Sequence, residues 1–331
     1  MHLLVTQSFG RENEYRRALF AILSFWAWYS GPAERVKTVL FTDAPDFFRP
    51  YLVDLPVDYV LLTPEKIREM RGDIDFLHRM KIALIEEAFE RHPGADMLYV
   101  DSDTFFISDA LPWMNAFQPG RSFMHLLEYI YEECRTLPLP MGLTFHAFLT
   151  LLESQSFKTS RGLEQYSAAH ESWNAGVMGL PADTLSMIPD VYQLTDQFYP
   201  PTHNHASEQY AFSLILQTQS QLQACNEYVY HYWYRVKKQI TDLVLAVAFD
   251  ASFQHNPWNE KLAVVRNLVC RLPTLYQEHP LMLQDNAVQA FNQNRFKEGY
   301  QYAWLALRKS PFKPTFLKDV LYHAKRHITK A

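Results

Sequence analysis

The chain has 331 residues, a length that suits one large α/β domain with an appendage, or two domains. Apolar residues make up 48% of it and aromatic residues 15%, which excludes a disordered chain. The net charge of −5 argues against a general nucleic-acid binder, which normally carries a basic stripe. Three scattered cysteines exclude a disulfide framework and a four-ligand zinc site, and their odd number suits a reducing cytoplasm.

The N-terminal sequence, MHLLVTQSFG, becomes polar by Thr6 and has no basic start followed by a long apolar stretch, so it does not predict a signal peptide. The most apolar predicted helix, Ala18 to Tyr29, is well short of the roughly twenty residues that span a bilayer. We therefore predict a soluble, cytoplasmic protein with at most peripheral membrane contact.

The first hundred residues alternate between strand and helix patterns. Strands are predicted at His2–Thr6, Lys37–Thr42, Val57–Leu62 and Met97–Val100, and helices at Glu14–Tyr29 and Phe76–Arg91. This alternation implies βαβ units and a mainly parallel sheet flanked by helices. Ligands of such sheets bind beyond the carboxyl ends of the strands, where Thr6 and Asp101 lie.

The later elements are less regular. From Gln118 to His170 the pattern loosens, which predicts a long insertion. After it, a strand is predicted at SWNAGVMGL (172–180), a helix at Glu208 to Gln217 and an aromatic strand at EYVYHYWY (227–234).

Beyond residue 256 the chain has a helical character. The stretches 286–309 and 315–331 predict helices, and Ala287, Gly299, Ala306 and Pro311 stand where a tetratricopeptide-like hairpin has small residues and its last proline. The same stretches could instead cap the main domain. We divide the chain into a domain of residues 1–255, with the insertion 118–170, and a C-terminal helical extension of residues 256–331.

Two aspartates one residue apart end the strand at Met97–Val100. Alternate side chains of an extended backbone share a face, so Asp101 and Asp103 can converge on one point. Adjacent carboxylates repel each other unless a cation compensates. Mg²⁺ and Mn²⁺ bind through one or two carboxylates, with substrate phosphates completing their shell. The alternative is that the pair consists of solvated turn residues.

The order of these features over residues 1–238 resembles the nucleotide-sugar glycosyltransferases of the GT-A fold. Strand, helix, DSD, NAGV, EQ and a late histidine follow one another as in family 8, the type of glycogenin and of bacterial galactosyltransferases. The resemblance implies a Rossmann-like mixed sheet and transfer of a sugar from a nucleotide-sugar donor, a UDP-sugar, with retention of the anomeric configuration. The acceptor would be a hydroxyl of a saccharide, a glycolipid or a protein.

The resemblance also implies roles for single residues. Asp101 and Asp103 would hold Mn²⁺ (or Mg²⁺), with His231 as the third protein ligand. Glu208 and Gln209 would lie beside the anomeric carbon as the catalytic pair. The residues implied to bind the donor are Thr6, Gln7, Arg79, Lys81, Asp101, Ser102, Asn174, Ala175, Gly176 and Lys237.

This chain departs from the family's H-x-x-G-x-x-K-P-W motif, which begins here at His231. Tyr234 replaces the glycine, and Lys238-Gln239 replace the Pro-Trp pair. Several assignments also have a structural alternative. His231 could be a core histidine, Gly176 a tight strand entry and Glu208 a residue that favours the dipole of a helix N-terminus. Arg79 and Lys81 could be surface charges.

The aromatic residues of the insertion predict an acceptor-side wall of the cleft or, alternatively, the core of a small helical subdomain. They are Tyr129, Tyr131, Phe145, His146, Phe148 and Phe157.

Other functions also stay open. One is a haloacid-dehalogenase-type phosphatase with Asp101 as nucleophile, although its motif wants Thr or Val where this chain has Phe105. Another is a non-catalytic scaffold. An inverting transferase would result if Glu208 reached the acceptor hydroxyl as a general base.

Overall fold

The structure is a computed structural model that describes residues 1–139, 142–310 and 313–330. Its strands, in chain order, are β1 (His2–Ser8), β2 (Val36–Thr42), β3 (Val57–Leu61), β4 (Asp96–Val100), β5 (Thr104–Phe106), β6 (Arg121–Met124), β7 (Leu127–Ile130), β8 (Phe157–Thr159), β9 (Gly162–Glu164), β10 (Glu171–Trp173), β11 (Val177–Leu180), β12 (Gln221–Ala224) and β13 (Val229–His231).

The helices follow the same order. They are α1 (Glu12–Trp28), α2 (Pro45–Phe48), α3 (Pro64–Arg71), α4 (Arg79–Arg91), α5 (Leu111–Asn115), α6 (Leu143–Ser154), α7 (Ile188–Thr202), α8 (Ser207–Gln219), α9 (Arg235–Ala248), α10 (Trp258–Glu278), α11 (Pro280–Asn292), α12 (Phe296–Lys309) and α13 (Pro314–Lys330). Short 3₁₀ helices lie at Ala33–Arg35, Tyr131–Thr136, Ala182–Met187 and Phe253–His255.

A mixed sheet lies at the centre of the domain, with the strand order β12-β6-β11-β4-β1-β2-β3. β1 runs parallel to β2 and β4, β2 runs parallel to β3, and β12 runs parallel to β6. β11 is antiparallel to both of its neighbours, β4 and β6. The prediction of a mainly parallel mixed sheet flanked by helices, with further helices at the C-terminus, is therefore confirmed.

Each face of the sheet has its own apolar core, because successive side chains of a strand point to opposite faces. On one face Leu3 and Val5 of β1 belong to a core that includes residues of α4, α7 and α8. On the other face Leu4 belongs to a core that includes residues of α1, α9 and α10. Because β1 and β4 are parallel neighbours between these two cores, the segments that follow their carboxyl ends lie side by side at the same edge of the sheet.

Two predicted strands are shorter than expected. The strand predicted at residues 172–180 is divided into β10 and β11, because Asn174, Ala175 and Gly176 leave the extended ladder. The aromatic strand predicted at residues 227–234 is reduced to β13, which pairs antiparallel with β5 and places His231 opposite Thr104. This short ribbon brings His231 back to the segment that carries the two aspartates.

The C-terminal helices pack in two ways. α10, which follows residue 255, packs against α1 and contributes Val265 and Leu272 to the core of the main domain. α11 and α12 form a hairpin, and with α13 they share a separate small core around Phe291 and Phe316. Pro311 lies outside the described residues. Among the described helices, none is long and apolar enough to cross a bilayer.

Candidate active site

A cleft of two adjoining cavities opens beyond the carboxyl ends of β1 and β4. The β1 cavity, of about 470 Å³, is lined by the end of β1 and the residues that lead into α1, from Gln7 to Glu14. The α8 cavity, of about 460 Å³, is lined by residues of β7, α8 and β13 and of the segment between β10 and β11. Both cavities include His78, Lys81, Asp101 and Asp103, which therefore lie where the two join.

Backbone hydrogen bonds fix the segment that carries the two aspartates. The Asp101 amide donates to the Gly176 carbonyl at 2.8 Å, and the Thr104 hydroxyl donates to the Asp101 carbonyl at 2.8 Å. The Tyr232 amide donates to the Asp103 carbonyl at 2.9 Å. The turn after β4 is thus held by β11 on one side and by the segment after β13 on the other.

Asp101, Asp103 and His231 form a cluster that could hold a metal ion. Their ligand atoms all lie within 4.8 Å of one another. His231 Nδ1 is 2.8 Å from Asn174 Oδ1, which can only accept, so Nδ1 carries the proton and donates it. This bond orients the ring and leaves Nε2 facing Asp103, as is usual for a metal-binding histidine. Two carboxylates and an oriented imidazole therefore fit a divalent cation.

Two side chains balance the negative charge of the Asp103 carboxylate. Its Oδ1 lies 3.3 Å from His231 Nε2, and its Oδ2 lies 2.6 Å from Lys238 Nζ. Burial alone would raise the pKa of Asp103, but His231 and then Lys238 outweigh it and hold that pKa far below its ordinary range. Asp103 is thus an anion across the physiological pH range.

Lys81 is the buried cation at the centre of the cleft. Its Nζ lies 3.0 Å from Glu208 Oε1 and 3.4 Å from Asp101 Oδ2, and it donates to the Ala175 carbonyl at 3.1 Å. Burial alone would lower the pKa of Lys81, but the carboxylates of Asp101 and Glu208 raise it above its ordinary value. The Tyr99 hydroxyl donates to the other oxygen of Asp101 at 2.5 Å. Lys81 therefore joins Asp101 of the candidate metal cluster to Glu208 of α8.

Glu128 of β7 is a central residue that the sequence analysis missed. Its Oε1 accepts from Asn174 Nδ2 and its Oε2 accepts from Gln209 Nε2, both at 2.8 Å. Gln209 also accepts the Ala175 amide through its side-chain oxygen at 3.3 Å. Glu128 has no recognisable motif around it, because β7 is a short strand of partly exposed residues. Its role becomes visible only when β7 pairs with β10 in the folded protein.

Gly176 lines the α8 cavity and also has a structural role. A Cβ atom at this position would lie 2.1 Å from His231 Cε1, so the absence of a side chain makes room for the imidazole. Its amide donates to Asn174 Oδ1 at 3.0 Å, the same oxygen that His231 contacts. The glycine therefore positions a candidate metal ligand.

Lys237 and Arg79 do not line either cavity. Lys237 donates to the Tyr230 hydroxyl at 2.8 Å and lies over the Tyr230 and Tyr276 rings. Since α9 begins at residue 235, consecutive side chains point in different directions, and it is Lys238 that faces Asp103. Arg79 pairs with Asp196 at 2.8 Å, on the far side of α4. Neither residue lines the cleft in this structure, and the donor-binding role implied for both stays a prediction.

The β1 cavity is lined by two of the other residues implied to bind the donor. Gln7 and Ser102 line it, whereas Thr6 is fully buried in β1. The Ser102 hydroxyl donates to Glu14 Oε2 at 3.2 Å, and the Gly10 amide donates to Asp43 Oδ2 at 2.9 Å. Asp43 thus fixes the loop between β1 and α1 rather than lining the cavity.

The aromatic residues of the insertion divide between the cleft and the core. Tyr129 and Phe145 line the α8 cavity together with Trp233. Tyr131, Phe148 and Phe157 are fully or almost fully buried in the apolar core of that face of the sheet. His146 lies 3.1 Å from the Cys134 carbonyl and does not line the cavity.

No protein-family model matches this chain, and no curated protein matches it. Similar solved structures are glycosyltransferases. The apo form of mouse xyloside xylosyltransferase 1 is 12% identical, with a TM-score of 0.43 over 68% of this chain and 85% of its own. The galactosyltransferase LgtC, solved with donor and acceptor sugar analogues, is 10% identical, with a TM-score of 0.45 over 71% of this chain and 88% of its own.

A third similar structure is the glycosyltransferase GlyE of Streptococcus pneumoniae TIGR4, at 13% identity and a TM-score of 0.40, over 67% of this chain and 46% of GlyE. The solved structures and the resemblance found in the sequence name the same class of protein. With TM-scores below 0.5, these likenesses do not assign a role to any residue of the cleft.

Proposed function

We propose that this protein is a metal-dependent glycosyltransferase that moves a sugar from a UDP-sugar to a hydroxyl of a saccharide, glycolipid or protein acceptor. The observation that carries the proposal is the convergence of Asp101, Asp103 and His231, whose ligand atoms lie within 4.8 Å of one another. This cluster stands where the two cavities of the cleft join, which is where a donor's diphosphate would lie between its nucleoside and its sugar.

Asp101, Asp103 and His231 would hold Mn²⁺ or Mg²⁺, which supplies positive charge for the departing diphosphate. The protein adds cations of its own at this position. Lys238 faces Asp103 at 2.6 Å from the surface side of the cleft, and its side chain is 33% exposed. A partly exposed ammonium can turn from a carboxylate to a phosphate, and we assign Lys238 the donor-binding role that the resemblance gave to Lys237.

The α8 cavity would hold the donor sugar. Glu128, Asn174 and Gln209 form one hydrogen-bonded group, whose remaining lone pairs and protons suit the hydroxyls of a sugar. Glu208 is only 4% exposed and paired with Lys81. A carboxylate held in a buried ion pair is better placed to stabilise a positive anomeric carbon than to take a proton from an acceptor hydroxyl, which favours retention.

The acceptor would enter along the part of the α8 cavity lined by Tyr129, Phe145 and Trp233. Aromatic faces of this kind stack on the apolar faces of sugar rings. We propose that the insertion of residues 118–170 forms this wall, and that the transferase domain comprises residues 1–255, followed by the helical extension.

The test is a calorimetric titration of Mn²⁺ with and without UDP, together with Mn²⁺-dependent hydrolysis of UDP-, GDP- and CMP-sugars. We expect weak Mn²⁺ binding by the free protein and tight binding with UDP, because two carboxylates and a histidine leave positions for phosphate oxygens. Asp103→Asn should lower turnover about a hundredfold to a thousandfold while the protein stays folded. The matched control is Asp54→Asn, the same change at an exposed position outside the cleft.

Three outcomes would contradict the proposal. Tight Mn²⁺ binding without nucleotide dependence would exclude a site that phosphate completes. Hydrolysis of phosphomonoesters without donor-sugar turnover would favour the phosphatase alternative, in which Asp101 is the nucleophile. Nucleotide binding with no turnover of any donor would favour the non-catalytic scaffold.

A further inference from the structure

The C-terminal part of the chain has the opposite charge from the rest. Residues 295–331, which we name the basic arm, contain nine lysines and arginines and two acidic residues, for a net charge of +7. Residues 1–294 contain 22 basic and 34 acidic residues, for a net charge of −12. A charge asymmetry of this size orients a protein relative to any charged surface that it meets.

The exposed face of α12 combines apolar and basic side chains. Trp304 is 58% exposed and Leu305 is 41% exposed, although both are large apolar residues. Arg308 lies over the Trp304 ring, 4.6 Å from its centroid, and Lys297 is exposed two turns earlier on the same face. The basic side chains of this face are therefore next to its exposed apolar side chains and do not form a separate patch.

α13 repeats this arrangement. Its inner face packs Phe316 and His323 against α11 and α12, with the His323 ring stacked on Phe291 of α11. Its outer face exposes Leu321 by 69% and Tyr322 by 64%, with the exposed Lys318 within one turn of both. A helix that buries one apolar side and exposes another, flanked by lysine, is typical of segments that lie in the interface of a bilayer.

The chemistry of these two faces selects one kind of partner. In a symmetric dimer formed through these two faces, the second copy would bring another arm of charge +7 against the first, which is unfavourable. An anionic lipid surface offers negative charge to the lysines and an apolar layer to the tryptophan and leucines at the same time. It would also repel the acidic remainder of the protein, so only the arm would face the lipid.

The base of the arm is joined to the active site. α11, which forms a hairpin with α12, carries Asp285 and Gln289, and both bond to the Tyr234 hydroxyl. Tyr234 follows Trp233, which lines the α8 cavity, and lies three residues after His231. α11 therefore contacts both the arm and the segment that lines the acceptor side of the cleft.

We propose that the exposed faces of α12 and α13 bind the surface of a membrane that contains anionic lipids. This inference does not depend on the proposed enzymatic activity, because it is based on the charge and exposure of the arm alone. Together with that activity, it would bring the cleft to acceptors that are anchored in the membrane.

The test is flotation of the full-length protein with vesicles of phosphatidylcholine, with and without phosphatidylglycerol, at low and high salt. We expect binding only to the vesicles with phosphatidylglycerol, and loss of that binding at high salt. Lys318→Gln should weaken binding about fivefold, and Trp304→Ser about tenfold or more. Lys158→Gln, the same change at an exposed position of β8, should have no effect.

Unchanged thermal melting of each variant would show that the exposed substitutions leave the fold intact. No binding to phosphatidylglycerol vesicles by the unmodified protein would overturn the proposal, as would equal binding to both kinds of vesicle. A dimer in light scattering that Trp304→Ser dissociates, without vesicle binding, would mean that a second copy covers the face, and would also overturn it.

Discussion

The two halves of the cleft are built by different means, although they share Lys81, Asp101 and Asp103. The α8 cavity is lined by buried polar side chains that are each paired, such as Asn174 with Glu128 and Glu208 with Lys81. The β1 cavity is lined in part by the segment between β1 and α1, whose residues from Phe9 to Arg11 are partly or fully exposed.

This difference has a physical cause. A buried polar group costs free energy unless it is paired, so the α8 cavity exists only with its complete network. The β1 cavity faces water and can bind a ligand by rearranging exposed side chains. We therefore expect substitutions in the α8 half to affect both stability and catalysis, and substitutions in the β1 half to affect mainly ligand affinity.

The largest expected effect comes from Lys81. Lys81→Met leaves Glu208 and Asp101 without their buried cation, and we expect the free energy of unfolding to fall by about 3–5 kcal/mol. Lys66→Met is the matched control, since Lys66 pairs with Glu87 at 2.6 Å on the neighbouring helices but is partly exposed. It should cost about 1 kcal/mol or less. Urea unfolding measures both, and equal costs would remove the distinction between a buried network and a surface pair.

A smaller, pH-dependent effect should come from His125, which lies below the α8 cavity. Its Nε2 is 3.0 Å from the Val229 carbonyl and its ring is 5.7 Å from that of His231. Burial first, and then His231, lower the pKa of His125 from 6.5 to about 4. Folding therefore favours the neutral form, so its contribution to stability is complete above pH 6.5 and is lost as the pH falls towards 4.

That loss should amount to about 3 kcal/mol for the full difference in pKa. His125→Gln keeps a donor for the Val229 carbonyl without a group that titrates, and its stability should fall less between pH 7 and pH 4 than that of the unmodified protein. His255→Gln, at an exposed histidine, should reproduce the unmodified profile. Parallel profiles for all three proteins would show that His125 does not titrate with unfolding.

The sequence predicts the fold well where a strand or helix has its own periodic pattern. The strand before Asp101 and the helix before it match β4 and α4 to within a few residues, because apolar runs and helical spacing reflect burial directly. The two shortened strands were not predictable in this way. β13 ends at His231 because its ladder depends on the three-residue partner β5, and a partner strand leaves no signal in the sequence of β13 itself.

The candidate site shows the same limit. Asp101 and Asp103 were identifiable because two carboxylates at the end of an apolar strand are costly without a reason. Glu128 was not, because a single glutamate in a short strand has no such signature, and its role depends on contacts with Asn174 and Gln209 that only the fold creates. The residue types of a site can be predicted from the sequence, but the partners that the fold brings to each residue cannot.

The smallest expected effect is a difference between substitutions of two adjacent lysines, Lys237 and Lys238. It tests whether the metal ion and the diphosphate bind where the two halves of the cleft join. Lys238 Nζ lies 2.6 Å from Asp103 Oδ2, whereas Lys237 is bonded to Tyr230 on another face of α9. Because Lys238 competes with a metal ion for Asp103, Lys238→Gln should bind Mn²⁺ about tenfold more tightly in the absence of nucleotide, a gain of about 1.4 kcal/mol.

The same variant should bind UDP about tenfold more weakly in the presence of saturating Mn²⁺, because it lacks the ammonium that would turn to the diphosphate. Lys237→Gln, the same change one residue earlier, should alter neither affinity. Calorimetry measures both titrations for both variants. If Lys237→Gln alone weakens UDP binding, the diphosphate lies on the other side of α9 and the position implied by the H-x-x-G-x-x-K-P-W resemblance is correct. If instead Mn²⁺ affinity does not change in Lys238→Gln, Lys238 and the metal ion do not share Asp103, and the metal site lies away from the point where the two halves of the cleft join.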